Sequence, residues 1–442
     1  MPETRYAKTP DGVHLAYHVV GNGPIDVMWI HSMQGGLEIL WEEPRIRSLS
    51  EKVAAFARLI RHDMRATGLS DRHTPLPDLE TQTQDILTVL DEVGSHSVVL
   101  FTAGNYVGPL FAATHPKRTR ALCYFDPAAR EIQTRDYPWG EAPEDAAREL
   151  TELEYKWGRD AHAGSMISKV APPMRGDRDL VRWYAKLSRH WVAPGDAIEL
   201  HRRLNETDIR DVLPTIKVPT ACIVRRFEEG IEEARYVTGL IPGAQLIVLD
   251  GDERWSAGGD QDALVGAVRE FIGMSPAVDT GGTRLRTILF TDMVGSTSLA
   301  TRVGDVAWKS LLTRHHEVVR AELARAGGFE EDAAGDGFFA TFDGPVRAIT
   351  AAQAMIGGLE PLGIQIRAGV HTGEVETIDG KSGGVAVHIG ARVAALARPS
   401  EILVSRTVMD LVAGSRLVFE DAGERELKGV PDRWRLYRVV SP

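Results

Sequence analysis

Apolar residues recur along this chain in two different rhythms. In the first part they come as short runs: HLAYHVV (14–20), DVMWIH (26–31), SVVLFT (97–102), ALCYFD (121–126), TACIVRR (220–226) and AQLIVLD (244–250). Helix-length stretches such as LETQTQDILTVLDEVG separate them. Several runs are apolar at consecutive positions, as in strands buried on both faces of a parallel sheet. The alternation predicts a doubly wound α/β domain over residues 1–272, with an added helical segment around 145–205.

From residue 273 the rhythm stops. GMSPAVDTGGTRLR has no helical or strand period, and its Gly, Pro, Ser and Thr predict a linker over 273–285, with the boundary near residue 280. A second domain, 286–442, then reads differently. RTILFTDM predicts a strand, and DVAWKSLLTRHHEVVRAELARAGG an amphipathic helix stopped by Gly327 and Gly328. Two strands flank a turn at Asp336, the helix PVRAITAAQAMIGGL follows, and IQIRAGVHTG alternates as a strand does. The order βαββαβ predicts an α+β, ferredoxin-like core.

Composition narrows the function. The chain has 442 residues, 43% hydrophobic and 26% charged, as soluble globular chains do. A net charge of -11 argues against a broad nucleic-acid surface. The two cysteines, Cys123 and Cys222, lie far apart in apolar runs, so a reducing cytoplasm is the expected compartment. The first residues are too polar for a signal peptide, and no apolar run approaches the ~18 residues of a membrane span.

The second domain carries candidate chemistry. FTDMVGST (290–297) ends a strand at Asp292 and turns through Gly295, Ser296 and Thr297 into a helix. Backbone N–H groups at such a turn can hold phosphate oxygens. Asp336 sits in a Gly-Asp-Gly turn between adjacent strands, so the two carboxylates can meet and suit Mg²⁺ or Mn²⁺.

Four motifs in this order, FTDMVGST, AGDGFFATFDGP, GVHTGEVE and GVAVHIGARVAALA, resemble the class III nucleotidyl cyclase domain over residues 286–440. That resemblance implies conversion of a nucleoside triphosphate, commonly ATP, to a cyclic nucleotide and pyrophosphate in a head-to-tail homodimer. It implies two metal ions on Asp292 and Asp336, a transition-state arginine at Arg392, and a basic residue near the phosphates at Lys428. Three positions depart from the family. Asp332 stands where adenylate cyclases have lysine, Lys381 where they have aspartate, and His388 where they have asparagine. His388 and Arg392 are four residues apart, on one helical face. An aspartate accepts and a lysine donates, so Asp332 and Lys381 complement the edge of guanine better than that of adenine. They can equally pair with each other, and both ATP and GTP stay open. The departures also fit a signalling protein whose catalytic units are both degraded.

The first domain resembles the α/β-hydrolase-like domains found fused to such cyclases, through MWIHSMQGGLEILWEEP, LIRHDMRATGLSDR, LFAATHPKRTRAL and LIPGAQLIVLDGDERW. The nucleophile elbow, G-x-S-x-G in that family, falls on LFTAG, with Thr102 at the serine position, Leu100 at the first glycine and Gly104 retained. A β-branched threonine tolerates the strained elbow poorly. Arg254 takes the histidine position, and arginine is no base at neutral pH. Glu228 is the nearest acid, and His31 marks the oxyanion loop. The expectation is a shell without a working triad, which binds a small-molecule ligand or braces the dimer.

Overall fold

A computed structural model describes residues 1–31, 35–274, 284–378 and 381–440, and the side chains of Glu228 and Lys381 fall outside the description. Residues 275–283 of the expected linker also lie outside it. The chain divides into two compact units, Met1–Thr280 and Gly281–Pro442. No described helix is long and apolar enough to cross a membrane.

In the first unit, β1 (Arg5–Lys8), β2 (His14–Val20), β3 (Asp26–His31), β4 (Arg58–His62), β5 (Val98–Ala103), β6 (Thr119–Phe125), β7 (Thr220–Arg225) and β8 (Gln245–Leu249) form one sheet in the order 1-2-4-3-5-6-7-8. The β1–β2 and β2–β4 pairs are antiparallel, and every pair from β4 to β8 is parallel. β5 and β7 are buried at every position, as strands covered on both faces must be. The helical segment between β6 and β7 consists of helices Pro143–Lys156, Asp160–Val170, Arg178–Trp191 and Pro194–Glu206.

The periodicity missed β1 and β4. β4 reads RLIRH, yet Arg61 and His62 are both buried. The Arg61 guanidinium lies 4.5 Å from the centre of the Trp29 ring, a contact that favours a buried cation. Burial pushes its pKa down to about 10, so it stays charged at neutral pH.

In the second unit, β9 (Arg284–Met293), β10 (Phe329–Ala334), β11 (Gly337–Phe342), β12 (Ile366–Ile378), β14 (Ile402–Ser405), β15 (Val418–Glu426) and β16 (Arg433–Val440) form a sheet ordered 10-11-9-12-14-16-15, with β13 (Lys381–Gly383) paired to β12. The first four strands are antiparallel, with β9 and β12 side by side at the centre. Helices Asp305–Ala326 and Pro345–Leu359 cover one face. Phe338, Ala340 and Phe342 point to that face and pack with Val319, Ile349 and Met355. Helix Val385–Leu396 lies on the other, where Ile288, Val375 and Ala386 pack together. There Phe290 and Phe339 stack with ring centres 4.7 Å apart.

Candidate functional site

Asp292 and Asp336 come together at one end of the second sheet. Asp292 is the penultimate residue of β9. Gly335 and Asp336 form the two-residue link between β10 and β11, and Gly335 takes φ +64°, a conformation that glycine adopts without strain. In register, Phe338 of β11 lies opposite Thr291, which sets Gly337 beside Asp292. A Cβ on Gly337 would stand 3.9 Å from Asp292 Oδ1, so no side chain intervenes between the turn and that carboxylate. His316 Nε2 bonds the carbonyl of Gly335 at 2.8 Å and ties the turn to helix Asp305–Ala326.

Arg367 of β12 faces Asp292 across the sheet and donates to its Oδ2 from Nε at 3.0 Å and Nη2 at 2.5 Å. Oδ1 is left toward Gly337 and the Asp336 turn. Among the described residues, no three His, Cys, Asp or Glu side chains gather into a metal site. A two-carboxylate site still fits Mg²⁺ or Mn²⁺, which take hard oxygen donors and complete their shells with water and phosphate oxygens.

Beyond Asp292 the chain turns at Gly295 (φ +67°) into helix Ser296–Val303. No side chain caps that helix, so the first-turn amides of Ser296 and Thr297 carry the unsatisfied donors of a helix start. His388 and Arg392 lie one turn apart on the exposed face of helix Val385–Leu396, and Arg392 Nε donates to the Lys428 carbonyl at 3.1 Å. Arg392 and Lys428 are thus brought together. Among the described residues, no hydrogen bond or ion pair joins His388, Arg392 or Lys428 to Asp292 or Asp336.

Asp332 lies on β10 opposite Phe339, and it is exposed. The residue engaged with β13 is its neighbour Glu331, which accepts from the Ser382 amide at 3.0 Å and the Ser382 hydroxyl at 2.5 Å. β10 and β13 are therefore neighbours, whereas a contact between the Asp332 and Lys381 side chains lies outside the described residues.

The first unit corrects the expected elbow. Thr102 lies inside β5, fully buried, and its hydroxyl donates to Asn105 Oδ1 at 2.9 Å. The left-handed residue between β5 and helix Val107–Thr114 is Gly104, with φ +60°, not Thr102. A threonine pays a steric penalty in that conformation and glycine does not, so the turn has settled two residues later. The elbow consequently presents no side chain.

Arg254, on the loop after β8, donates from Nε to Asp126 Oδ2 at 2.9 Å. Asp126 follows β6 and takes φ +49°, uncommon for a residue with a Cβ. Burial pushes its carboxyl up in pKa, and Arg254 opposes that shift. Arg225, buried at the end of β7, donates to the carbonyls of Trp255 (2.8 Å) and Gly258 (2.6 Å) and so clamps the loop that carries Arg254. Nearby, Tyr106 donates to Glu131 at 2.9 Å, and burial pushes Glu233 up to about 7. Burial pushes His31 down to about 4, which leaves it neutral. Glu228 opens helix Glu228–Leu240, its side chain outside the description. Asp126 and Arg254 pair a carboxylate with a guanidinium where a triad pairs one with an imidazole.

No protein-family model matches the chain. A Rhizobium meliloti (strain 1021) protein that carries the provisional name adenylate cyclase 3 is 29% identical over 156 residues, 33% of this chain. The chain spans 27% of that relative's length. The crystal structure of the enol-lactonase from Burkholderia xenovorans LB400 shares 22% identity over 61% of this chain and all of its own, with TM-score 0.50. The crystal structure of the adenylyl cyclase CyaB from P. aeruginosa shares 21% identity over 36% of this chain and 95% of its own, with TM-score 0.34.

The first unit has the α/β-hydrolase fold. The second is a mixed α/β unit, and solved structures similar to it include adenylyl and guanylate cyclase domains.

Sequence reading named Asp292, the Asp336 turn and the helix start at Ser296, which meet at one end of the second sheet, but missed Arg367 and Glu331. Arg367 was visible only as one residue of an alternating strand. Glu331 stood in an acidic run, where nothing distinguishes a hydrogen-bonded carboxylate from a solvated one. In the hydrolase-fold unit sequence reading named Gly104 only as a retained glycine and missed Asp126; the signal of both is a backbone dihedral.

Proposed function

We propose that the chain is a purine nucleotide cyclase, which converts ATP or GTP to the 3′,5′-cyclic nucleotide and pyrophosphate. The observation that carries this reading is the placement of Asp292 against the Gly335–Gly337 turn that bears Asp336, beside the uncapped helix start at Ser296. ATP is named first because the family's commonest activity uses it; the charges of Asp332 and Lys381 argue for GTP.

Asp292 and Asp336 would hold two Mg²⁺ or Mn²⁺ ions, and a bound ion supplies a lowered pKa at the ribose 3′-hydroxyl and charge neutralisation at the triphosphate. The amides of Ser296 and Thr297 would donate to phosphate oxygens at the positive end of their helix. Arg367, paired with Asp292, would turn to a phosphate oxygen when the carboxylate is otherwise engaged. Arg392 would offset the negative charge that builds on the phosphoryl oxygens as the 3′-oxygen attacks the α-phosphorus in line, with His388 oriented beside it and Lys428 nearby. Among the described residues, His388, Arg392 and Lys428 make no bond to the two aspartates of their own chain. The resemblance to head-to-tail cyclases is what would put them across a homodimer interface. Asp292 and Asp336 of one protomer would then face Arg392 of the partner subunit.

The test has two parts. Incubation with ATP or GTP and Mn²⁺, followed by chromatography, should yield the matching cyclic nucleotide; no product from either contradicts the reading. Asp292→Ala and Arg392→Ala proteins, each inactive alone, should regain part of the activity when mixed, because one heterodimer site is intact. Heterodimers that form without recovery contradict the shared site.

A second reading concerns the hydrolase-fold unit. Gly104 at the elbow and Arg254 bonded to Asp126 favour a pocket that binds a small molecule without chemistry and biases the attached cyclase.

A further inference from the structure

We propose that Glu331 is a positioning residue for base selection: by fastening Ser382 to a bulge in β10, it sets where Asp332 and Lys381 stand relative to one another. The inference rests on the cyclase reading above and goes beyond it in naming what holds the base-reading edge.

The first support is the register of β10 against β11. Glu330 pairs with Ala340 and Asp332 with Phe339, so Glu331 is an extra residue with no partner of its own. Successive side chains of a regular strand point to opposite faces, and a bulge breaks that alternation. Glu330 bonds Arg320 of helix Asp305–Ala326 at 2.8 Å through two nitrogens, so it belongs to the helix-covered core side. Glu331 accepts from Thr341 at 2.8 Å, and Asp332 lies opposite Phe339, whose ring stacks on Phe290. Thr341 and Phe339 share the face of helix Val385–Leu396, so two consecutive acids are turned toward it. Without the extra residue, Asp332 would pair with Phe338 and share its core side. The bulge is what brings Asp332 to the side of His388 and Arg392.

The second support is what Glu331 does there. One oxygen accepts the hydroxyls of Thr341 and Ser382, and the other accepts the Ser382 amide. Ser382 follows Lys381 on a strand of three residues that hangs on β12 alone in the sheet. Glu331 therefore ties this short strand to β10. The tie is anchored: Thr341 is fully buried and accepts from Arg286 Nη2 at 3.3 Å, and Arg286 is ion-paired with Asp343. A carboxylate suits the place because all three of its partners donate. A glutamine side chain would have a single acceptor oxygen and would aim an NH₂ group at a donor.

The experiment compares wild type with Glu331→Ala, Glu331→Gln, Ser382→Ala and Ser382→Thr. Binding of 3′-deoxy-GTP and 3′-deoxy-ATP, neither of which can cyclise, is measured with Mn²⁺ beside the GTP/ATP ratio of kcat/KM and a thermal melt. Glu331→Ala and Ser382→Ala should bring both ratios toward unity by about three- to tenfold, the net scale of one ordinary hydrogen bond, because the residue acts through others, with KM moving more than kcat. Glu331→Gln should fall between, and Ser382→Thr, which keeps both donors, should restore the wild-type ratios. Folded variants with a lower melting point and unchanged ratios would show a merely structural residue and overturn the inference, as would a wild type that binds both bases equally. A wild type that binds neither analogue and forms no cyclic product overturns the cyclase reading itself, and the inference with it.

Discussion

Arg367 holds the Asp292 carboxylate through two nitrogens, at 3.0 and 2.5 Å, and gives its third to the Ala395 carbonyl at 3.2 Å. The proposed metal ligand is thus half-neutralised by its own chain. The two side chains keep 34% and 41% of their exposure, so the pair is worth only about 0.2–1 kcal/mol. Arg367→Ala should bind Mn²⁺ more tightly in the absence of nucleotide, by about 1.5- to fivefold on that scale. Titration followed by electron paramagnetic resonance reads this directly, and unchanged or weaker Mn²⁺ binding would show that the guanidinium does not compete with the ion.

The hydrolase-fold unit should not turn over simple esters. Gly104 offers no nucleophile at the elbow, and Arg254, bonded to Asp126, offers no base. With p-nitrophenyl acetate and butyrate, wild type and Thr102→Ala should both match the buffer rate. Turnover that disappears in Thr102→Ala would contradict this.

The charge-reversed pair makes a sharper prediction about the base. A site built on hydrogen bonds rejects a base that leaves its polar groups unpaired. Exchanging both charges with Asp332→Lys and Lys381→Asp should move the GTP/ATP ratio of kcat/KM toward ATP by at least about tenfold, the scale of one charged contact. If the two residues only bridge each other, a folded, active double variant will keep the wild-type ratio, and each single change will cost stability.

Acid should weaken the second unit through His371. This ring is buried, bonds Ser405 at 2.8 Å, and is pushed by burial to a pKa of about 3. In the unfolded chain it titrates near the usual ~6.5. The folded value lies below the unfolded one, so the contribution is complete above about pH 6.5 and is lost as pH falls toward 3. At pH 5 the unfolded state gains about 2 kcal/mol from this one proton. Urea denaturation at pH 7.5 and pH 5 should show a smaller loss of stability in His371→Gln than in wild type. Equal slopes would mean that His371 does not titrate on unfolding.

The sequence by itself determined the two folds and most of the candidate chemistry. Burial on both faces leaves unbroken apolar runs, so β3, β5, β6 and β7 announced themselves, and alternation marked β12. Asp292, Asp336 and Arg392 were legible because their motifs place strand ends, turns and a helix around them. Tertiary structure alone decided the rest. Whether a left-handed residue falls on Thr102 or on Gly104 depends on where β5 stops and how closely helix Val107–Thr114 packs, and a Cβ on Gly108 would come 2.7 Å from the Thr102 hydroxyl. That Glu331 and Asp332 both turn to the face of helix Val385–Leu396 depends on one extra residue in β10, and letters carry no register. Which carboxylate Arg367 holds depends on β9 and β12 lying side by side, although 75 positions separate the two residues in sequence. Local pattern records the preferences of a segment; the partner across the sheet is fixed only when the chain has folded back on itself.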